Sequence, residues 1–535
     1  MRLVNAAEMQ EIDRRTIAAG TAVAELMERA GSGVAAVAEK LAARPAARIE
    51  IVCGKGHNGG DGIVAARLLA ARGHRVRVHL THEATQLAPE TRAQFDRLSD
   101  SKVEITALPS SLQDPGPIMD PRARPKGGDS VRSAATESNA FGRALASADV
   151  CVDALLGTGA LKTLQAPLTA IIHWIQHASS RTLSVDIPSG VDATTGAILG
   201  TAVWADTTVT FGLPKLGLAL EPGRERAGNL IVHELGFPAE IVDAVLSQGT
   251  ERHWMDAATA RRLVPRLDPT AHKYQRGCVV VVAGSRAFPG AAVLAAMAAL
   301  RSGAGIVHLA APAGIRPILQ TKLTEVIVHE LPETRQGTLA ADAAEPLARI
   351  LARADAVALG PGLSAQSETL AFARTFLAGL RVPAVVDADA IAAMPAPPHA
   401  AERIVSPHAG ELARWMGVSA EEVNRDRLLV ARDTAARSGA VVVAKGAPAI
   451  IATPDGVLHV NGSGSAALAT AGSGDVLTGI LAALLARGLA AANAARLGVF
   501  LHGIAGELAA RKHASQSVIA SDLLDMIGPA NASID

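Results

Sequence analysis

Residues 49–62 read Ile49-Glu50-Ile51-Val52-Cys53-Gly54-Lys55-Gly56-His57-Asn58-Gly59-Gly60-Asp61-Gly62. An apolar run of strand length enters a loop with five glycines in nine residues, and an apolar stretch of helical character follows over 63–72. Strand, glycines and helix start aim free backbone N–H groups and a positive dipole end at one point, an arrangement that suits an anion. Asp61 inside the loop would repel an anion, so it needs a bound cation or a proton to move. A second loop of this kind, Gly472-Ser473-Gly474-Asp475, opens the apolar helical stretch 476–486. Two such loops imply two active sites.

At 535 residues the chain exceeds one hydrophobic core and calls for two to four domains. Hydrophobic residues at 49% and charged residues at 19% indicate compact structure rather than disorder. Aromatics are 2%, with Tyr274 the single tyrosine, so little surface is available for stacking bases. Lys+Arg and Asp+Glu balance at 51 each, so no global field recruits nucleic acid or membrane. The three cysteines, Cys53, Cys151 and Cys278, are too scattered for a zinc cluster and read as buried thiols of a cytoplasmic protein. A charged N-terminus without an apolar signal region, and apolar stretches shorter than the ~18–20 residues that span a bilayer, agree with that location.

The first half alternates helices and strands: a helical start over 5–41, then strands at 49–53, 75–80, 150–155, 182–186 and 207–210, with helices at 63–72 and 166–176. This pattern predicts a parallel sheet covered on both faces, a Rossmann-like three-layer domain. Segment 113–139, rich in Pro, Gly, Ser and charge, reads as a surface insertion. The pattern weakens at 236–256 into a linker, so the expected domains are 1–240 and 255–535. Strands of a second α/β series are expected at 278–283, 305–310, 356–359, 384–387, 404–406, 441–444 and 450–452, with helices at 290–302 and 476–487. No short internal repeat relates the halves.

Gly54, Gly56 and Gly59 formally match the dinucleotide-binding spacing, but Asp61 opposes a pyrophosphate, and only Glu83 is eligible as the ribose-binding acid. Val152-Asp153-Ala154-Leu155-Leu156-Gly157-Thr158-Gly159 and Ser184-Val185-Asp186-Ile187-Pro188-Ser189-Gly190 each put an aspartate at a strand end. Ligands of parallel sheets bind outside the carboxyl ends of strands, so Asn58, Asp61, Asp153, Asp186 and Ser189 could converge there. These three motifs, in order, resemble the NAD(P)H-hydrate epimerase domain, whose pattern is close to N-N-G-G-D-G, D-A-x-x-G-T-G and D-I-P-S-G. The resemblance implies that Asn58, Asp153 and Ser189 hold a potassium ion (K+). It also implies that His57, Asn58, Gly59, Gly60 and Asp61, with Gly157, Thr158, Gly159, Ala160, Leu161, Lys162 and Thr163, line the hydrated nicotinamide nucleotide. Asp186 becomes the acid or base at C6 of that nucleotide. His57 replaces the family's first Asn and Ala160 a larger apolar residue, changes that imply pocket tuning.

No G-x-x-x-x-G-K-[ST] occurs, which excludes a P-loop ATPase. Gly472–Asp475 offers an anion hole beside a carboxylate, suited to activating a hydroxyl toward a phosphoryl group. Its company is Gly360-Pro361-Gly362-Leu363, Val385-Val386-Asp387-Ala388-Asp389, Ser406-Pro407-His408-Ala409-Gly410-Glu411 and Val443-Ala444-Lys445-Gly446-Ala447. With His272-Lys273 and Gly290-Ala291, these resemble the ribokinase-like NAD(P)H-hydrate dehydratase domain over roughly 255–530. The resemblance implies that Ala291, Gly362 and His408 contact the hydrated nucleotide and that Asp475 is catalytic. It further implies that Lys445, Gly446, Ala447, Pro448, Ala449 and Gly474 hold the adenosine phosphate, that the nucleotide is ADP, and that Mg2+ accompanies it.

The expected protein is thus a bifunctional repair enzyme that epimerises hydrated NADH and NADPH and dehydrates the S epimer using ADP. Small molecules are its expected partners, without nucleic acid or membrane, and a homo-oligomer is expected. Two alternatives stay open: an NAD-dependent oxidoreductase fused to a ribokinase-like small-molecule kinase, and a non-catalytic nucleotide-binding protein.

Overall fold

The computed structural model describes residues 1–109, 112–116, 140–159 and 162–534. Residues 117–139 of the expected insertion, and Ala160 and Leu161 of the expected nucleotide loop, lie outside the described residues. The chain forms two compact units, Arg2–Gly249 and Thr250–Asp535, the latter with Met1.

The first unit is built on strands β1 (Arg48–Cys53), β2 (Arg75–Leu80), β3 (Glu104–Ala107), β4 (Val150–Ala154), β5 (Arg181–Val185), β6 (Thr207–Phe211) and β7 (Asn229–His233). They pair in parallel in the order β3-β2-β1-β4-β5-β6-β7. That order reverses direction at β1 and β4, the crevice where doubly wound sheets take ligands. Successive side chains of a strand point to opposite faces, and the core divides accordingly. Ile49, Ile51, Val150 and Val152 pack into one apolar cluster, Val52 and Cys151 into another. Helices on both faces account for this, as the sequence leads one to expect.

The expected helix over 5–41 is two, Ala6–Ala18 and Val23–Ala42, separated around Gly20 at φ +108°. More consequential is the helix expected from residue 63. It starts six residues earlier, as His57–Ala71, so most of the glycine-rich loop forms its first turns. Gly54, Gly59, Gly60 and Gly62 are there for close approach, since none from 54 to 62 has a positive φ and a Cβ on each of the four would clash. A Cβ on Gly59 would lie 1.9 Å from the Gly54 carbonyl oxygen, and one on Gly62 would lie 2.6 Å from Ala154 Cβ. The helix can therefore rest directly on β1 and β4, delivering Asn58 and Asp61 to the strand ends.

The second unit contains β8 (Arg252–Met255), β9 (Cys278–Val282), β10 (Ile306–Pro312), β11 (Ile327–Leu331), β12 (Ala356–Leu359) and β13 (Ala384–Val386). It continues with β14 (Arg403–Val405), β15 (Val441–Ala444), β16 (Ile450–Ala452) and β17 (Leu458–Asn461). The sheet order is β11-β10-β9-β12-β13-β14-β15-β16-β17-β8, parallel except for the two pairings that β16 makes. Again alternate residues separate: Val279 and Val281 enter one cluster, Val280 and Val282 another. The stretch expected as a linker holds the helix Ala239–Leu246 and strand β8. Cys53, Cys151 and Cys278 are buried free thiols. No helix among the described residues is long and apolar enough to cross a membrane.

Close approach at one glycine and open space at another give a direct contrast. Gly59→Ala is expected to destabilise the first unit by about 3 kcal/mol or more, because a carbonyl must move. Gly56, at the helix N-cap with nothing within 4 Å of a built Cβ, should accept Ser in place of Gly. Denaturant unfolding of the two variants measures the difference, with Gly56→Ser staying within ~0.5 kcal/mol of the parent.

Candidate active sites

In the first unit a cavity of about 860 Å³ opens at the carboxyl ends of β1, β4 and β5. His57, Asn58, Asp61, Gly157, Thr158, Gly159 and Asp186 line it. Gly59 and Gly60 sit behind that wall, in the buried first turns of the helix. Lys162 and Thr163 are not among the lining residues.

Asp153 is wholly buried near the end of β4. Its carboxylate accepts hydrogen bonds from Ser184 Oγ at 2.8 Å, Ser189 Oγ at 2.6 Å and Ser189 N at 2.9 Å. Burial pushes the carboxyl up, and the hydrogen bonds from Ser189, Ser184 and the Leu155 amide act against the rise. Ser189 Oγ accepts from Leu156 N at 3.0 Å, and Asn58 Nδ2 donates to Leu156 O at 3.0 Å. The structure therefore brings Asn58, Asp153 and Ser189 together around one backbone turn. Asn58 Oδ1 is left facing the Gly157 loop, about a van der Waals contact from a Cβ built there. Such a set offers only oxygen and one carboxylate, which suits a hard monovalent cation better than a transition metal. Among the described residues no group of three or more His, Cys, Asp and Glu could hold a metal.

Asp186 lies just beyond β5 with φ +64°, a backbone that side chains other than glycine rarely adopt. It is held there from both ends. Its amide donates to Val209 O at 2.7 Å, and its Oδ1 accepts from Lys215 Nζ at 2.6 Å and from Thr210 Oγ1 at 3.2 Å. Lys215 is 1% exposed, and its ammonium also donates to Phe211 O and Thr210 Oγ1. Sequence reasoning missed Lys215. The available signal was a lysine four residues past a buried strand in Phe211-Gly212-Leu213-Pro214-Lys215, where an exposed loop lysine would be the ordinary expectation.

Two further carboxyls face the same cavity. Asp61 is held well above the usual range by burial, reinforced by Asp186 and Asp13. Burial also pushes Asp13 up to about 6, with Lys215 drawing it down and Asp186 pushing it further up.

In the second unit the site forms where the loops after β12, β13, β14 and β15 meet the start of the helix Ser473–Ala486. That helix begins three residues before the expected position, so Gly474 and Asp475 are its second and third residues. Gly472 precedes it at φ +87°, the left-handed turn that lets the chain enter the helix. Asp387, 2% exposed, organises the rest. It accepts from Lys445 Nζ at 2.7 Å, Ser406 Oγ at 3.0 Å and Thr478 Oγ1 at 2.8 Å. Lys445 also stands 3.7 Å from Glu411 and 3.4 Å from a Cβ built on Gly474. Burial works against the lysine's charge, but Asp387, Glu411 and Asp475 outweigh it and hold Lys445 above its ordinary value. Asp475 is pushed up to about 6, first by burial and then by Asp387, with Lys445 opposing.

The other expected contacts fall around this core. A Cβ on Gly362, whose φ is +66°, would meet Ala291 Cβ at 2.9 Å, so these two residues adjoin. Gly360 packs on the Asp387 carbonyl, which ties the same loop to the core. His408 caps the helix Ala409–Met416: Nδ1 accepts from Gly410 N at 3.0 Å, and Glu411 reciprocates on the His408 amide. Its side chain is 57% exposed, with Nε2 3.5 Å from Glu411 Oε1. Residues 445–449 form the turn between β15 and β16, where Arg427 donates to the carbonyls of Ala444 and Ala447. Arg427, like Lys215, carried no motif in the sequence.

A comparison with known families places two matches on these units. The family described as YjeF-related protein N-terminus matches residues 23–217, and NAD(P)H-hydrate dehydratase matches residues 279–529. A protein of Moorella thermoacetica named bifunctional NAD(P)H-hydrate repair enzyme Nnr is 40% identical, covering 98% of this chain and 96% of its own. A protein of the same name from Thermofilum pendens is 36% identical, covering 98% and 95%. A solved structure from Bacillus subtilis, described as ADP/ATP-dependent NAD(P)H-hydrate dehydratase co-crystallized with ATP/Mg2+, is 29% identical. It covers 53% of this chain and 99% of its own, with a TM-score of 0.48.

The Asp475 environment predicts an inverse relation between stability and pH. The folded chain holds this proton more tightly than the unfolded chain. Its contribution to stability is therefore complete below about pH 4 and lost as pH rises through about 6. Asp475→Asn should unfold later than the parent at about pH 8, by on the order of 2 kcal/mol, and together with it at about pH 4. Thermal unfolding at the two pH values reads this directly.

Proposed function

The chain belongs to the bifunctional NAD(P)H-hydrate repair enzymes, and from that premise we propose how each unit carries its half of the reaction. One observation supports the reading above others: at the carboxyl end of each sheet a carboxylate lies in or beside a lysine–aspartate ion pair. These are Asp186 on Lys215, and Asp475 beside Lys445 and Asp387.

The first unit interconverts the R and S epimers at C6 of hydrated NADH and NADPH. Asp186 exchanges a proton at the C6 hydroxyl, and Lys215 fixes the carboxylate's position. His57, Asn58, Asp61 and Gly157–Gly159 form the wall against the substrate. Asn58, Asp153 and Ser189 would hold potassium, whose fixed positive charge offsets the phosphates of the nucleotide. The oxidoreductase alternative loses ground here, because Asp61 is buried in the helix start where a pyrophosphate would have to bind.

The second unit dehydrates the S epimer at the expense of ADP. Hydroxide is a poor leaving group, so the C6 oxygen is first phosphorylated. Asp475 takes the hydroxyl proton while that oxygen attacks the terminal phosphorus and AMP departs. The ring nitrogen then pushes out phosphate, C5 loses a proton, and NADH or NADPH is regenerated. The N–H groups opening the helix Ser473–Ala486 stabilise the transferring charge, and Lys445 with the 446–449 turn holds the adenosine phosphate. Mg2+ bound with the nucleotide would neutralise phosphate charge. Ala291, Gly362 and His408 complete the substrate side. Cytoplasmic location and a homo-oligomeric state belong to the same proposal.

Single-site variants separate the two halves. Asp186→Asn should reduce epimerisation by about 100-fold or more and leave dehydration of pure S epimer intact. Asp475→Asn should do the reverse. Persistence of both activities in either variant would remove the catalytic assignments.

A further inference from the structure

Asp13 stands on the helix Ala6–Ala18, outside residues 23–217 that match the N-terminal family, yet it faces the cavity that holds Asp61, Asp186 and Lys215. Among the described residues none hydrogen-bonds or ion-pairs with its carboxyl. Asp186 is committed to Lys215 at 2.6 Å, and Asp61, like Asp186, is buried. Burial holds Asp13 and Asp61 above the ordinary carboxyl range beside the Asp186–Lys215 pair, so the cluster carries a transferable proton. Asp13 alone of the three is half-exposed toward the cavity.

Inverting a carbon that bears a hydroxyl beside a ring nitrogen takes two proton transfers. One group gives a proton to the departing hydroxyl as the C6–O bond breaks, and the N1 electron pair forms N1=C6. Water then adds to the opposite face, the C6–O bond re-forms, and a second group removes the extra proton. One water leaves, one enters, and the protein's proton count is unchanged. Asp186 can serve only one face.

Resting on the epimerase reading of this unit, we propose that Asp13 is the second acid–base residue, serving the opposite face of C6 from Asp186. The two exchange roles between the R-to-S and S-to-R directions. The working form holds one proton between them. Asp13 gives up its proton as pH rises through about 6, a value set by burial, then Lys215, Asp186 and His57. Asp61, Arg14, Lys55 and His82 also face the cavity. The rate therefore falls on the alkaline side.

The test uses the full chain and R epimer of hydrated NADH, with conversion to S followed at several pH values. Asp13→Asn should lower kcat by about 100-fold with KM within about threefold, and erase the alkaline fall. Asp13→Glu, which keeps the titrating group, should recover part of the rate and the pH limb. In water labelled with oxygen-18, the parent should place one labelled oxygen in each inverted molecule. A parent that epimerises while Asp13→Asn matches its kcat and pH profile overturns the inference and leaves the epimerase reading standing. A parent that does not epimerise removes both.

Discussion

A lysine taken out of water needs a carboxylate within hydrogen-bond reach, and both units are organised around meeting that requirement. Lys215, 1% exposed, sits on Asp186, and the part-buried Lys445 sits on the 2% exposed Asp387. Removing either partner of such a pair leaves an uncompensated charge, with a cost of several kcal/mol. The pair therefore determines where the neighbouring chain can run. In the first unit it holds Asp186 at a positive φ beyond β5. In the second it draws the loops after β13, β14 and β15 onto the start of the helix Ser473–Ala486.

Parallel sheets make this arrangement possible, because every strand delivers its carboxyl end to the same edge. Glycines then set the depth of approach. Gly59 and Gly62 let the helix His57–Ala71 lie against β1 and β4, and Gly360 lets its loop lie on the Asp387 backbone. An acid placed in such a crevice loses its hydration without gaining full compensation. Asp13, Asp61 and Asp475 consequently stay protonated to higher pH than free carboxyls. The same burial that costs stability gives Asp13 and Asp475, both pushed up to about 6, protons to exchange.

Legibility in the sequence followed burial. Strands β1, β4, β9 and β12 lie inside their sheets, are covered on both faces, and read as apolar runs, interrupted only by Glu50 in β1 and Asp153 in β4. The strands that escaped notice are β3, β7, β8 and β11, which are the four sheet edges, together with β17 next to β8. An edge such as β3, exposed along its whole length, needs no apolar run. Helix starts were misjudged for a related reason: in both glycine-rich loops small residues mask the first turn, where Gly59 and Gly62 serve packing and Gly472 a left-handed turn. Asp61, Asp153, Asp186 and Asp475 were visible because each sits in a motif, whereas Asp13, on the helix Ala6–Ala18, sits in none and was not. The ion pairs were not, although Lys445 was visible in its own motif: Lys215 lies 29 residues from Asp186 and Lys445 lies 58 from Asp387, and only the fold closes those distances.

One chain performs both steps, each unit supplying one. Recovery of nicotinamide absorbance from a mixture of R and S hydrated NADH, with ADP present and spontaneous epimerisation subtracted, tests it most directly. Complete recovery is expected. Recovery that halts once the S fraction is spent would contradict the assignment of the first unit, and no recovery with ADP or ATP would contradict the account as a whole.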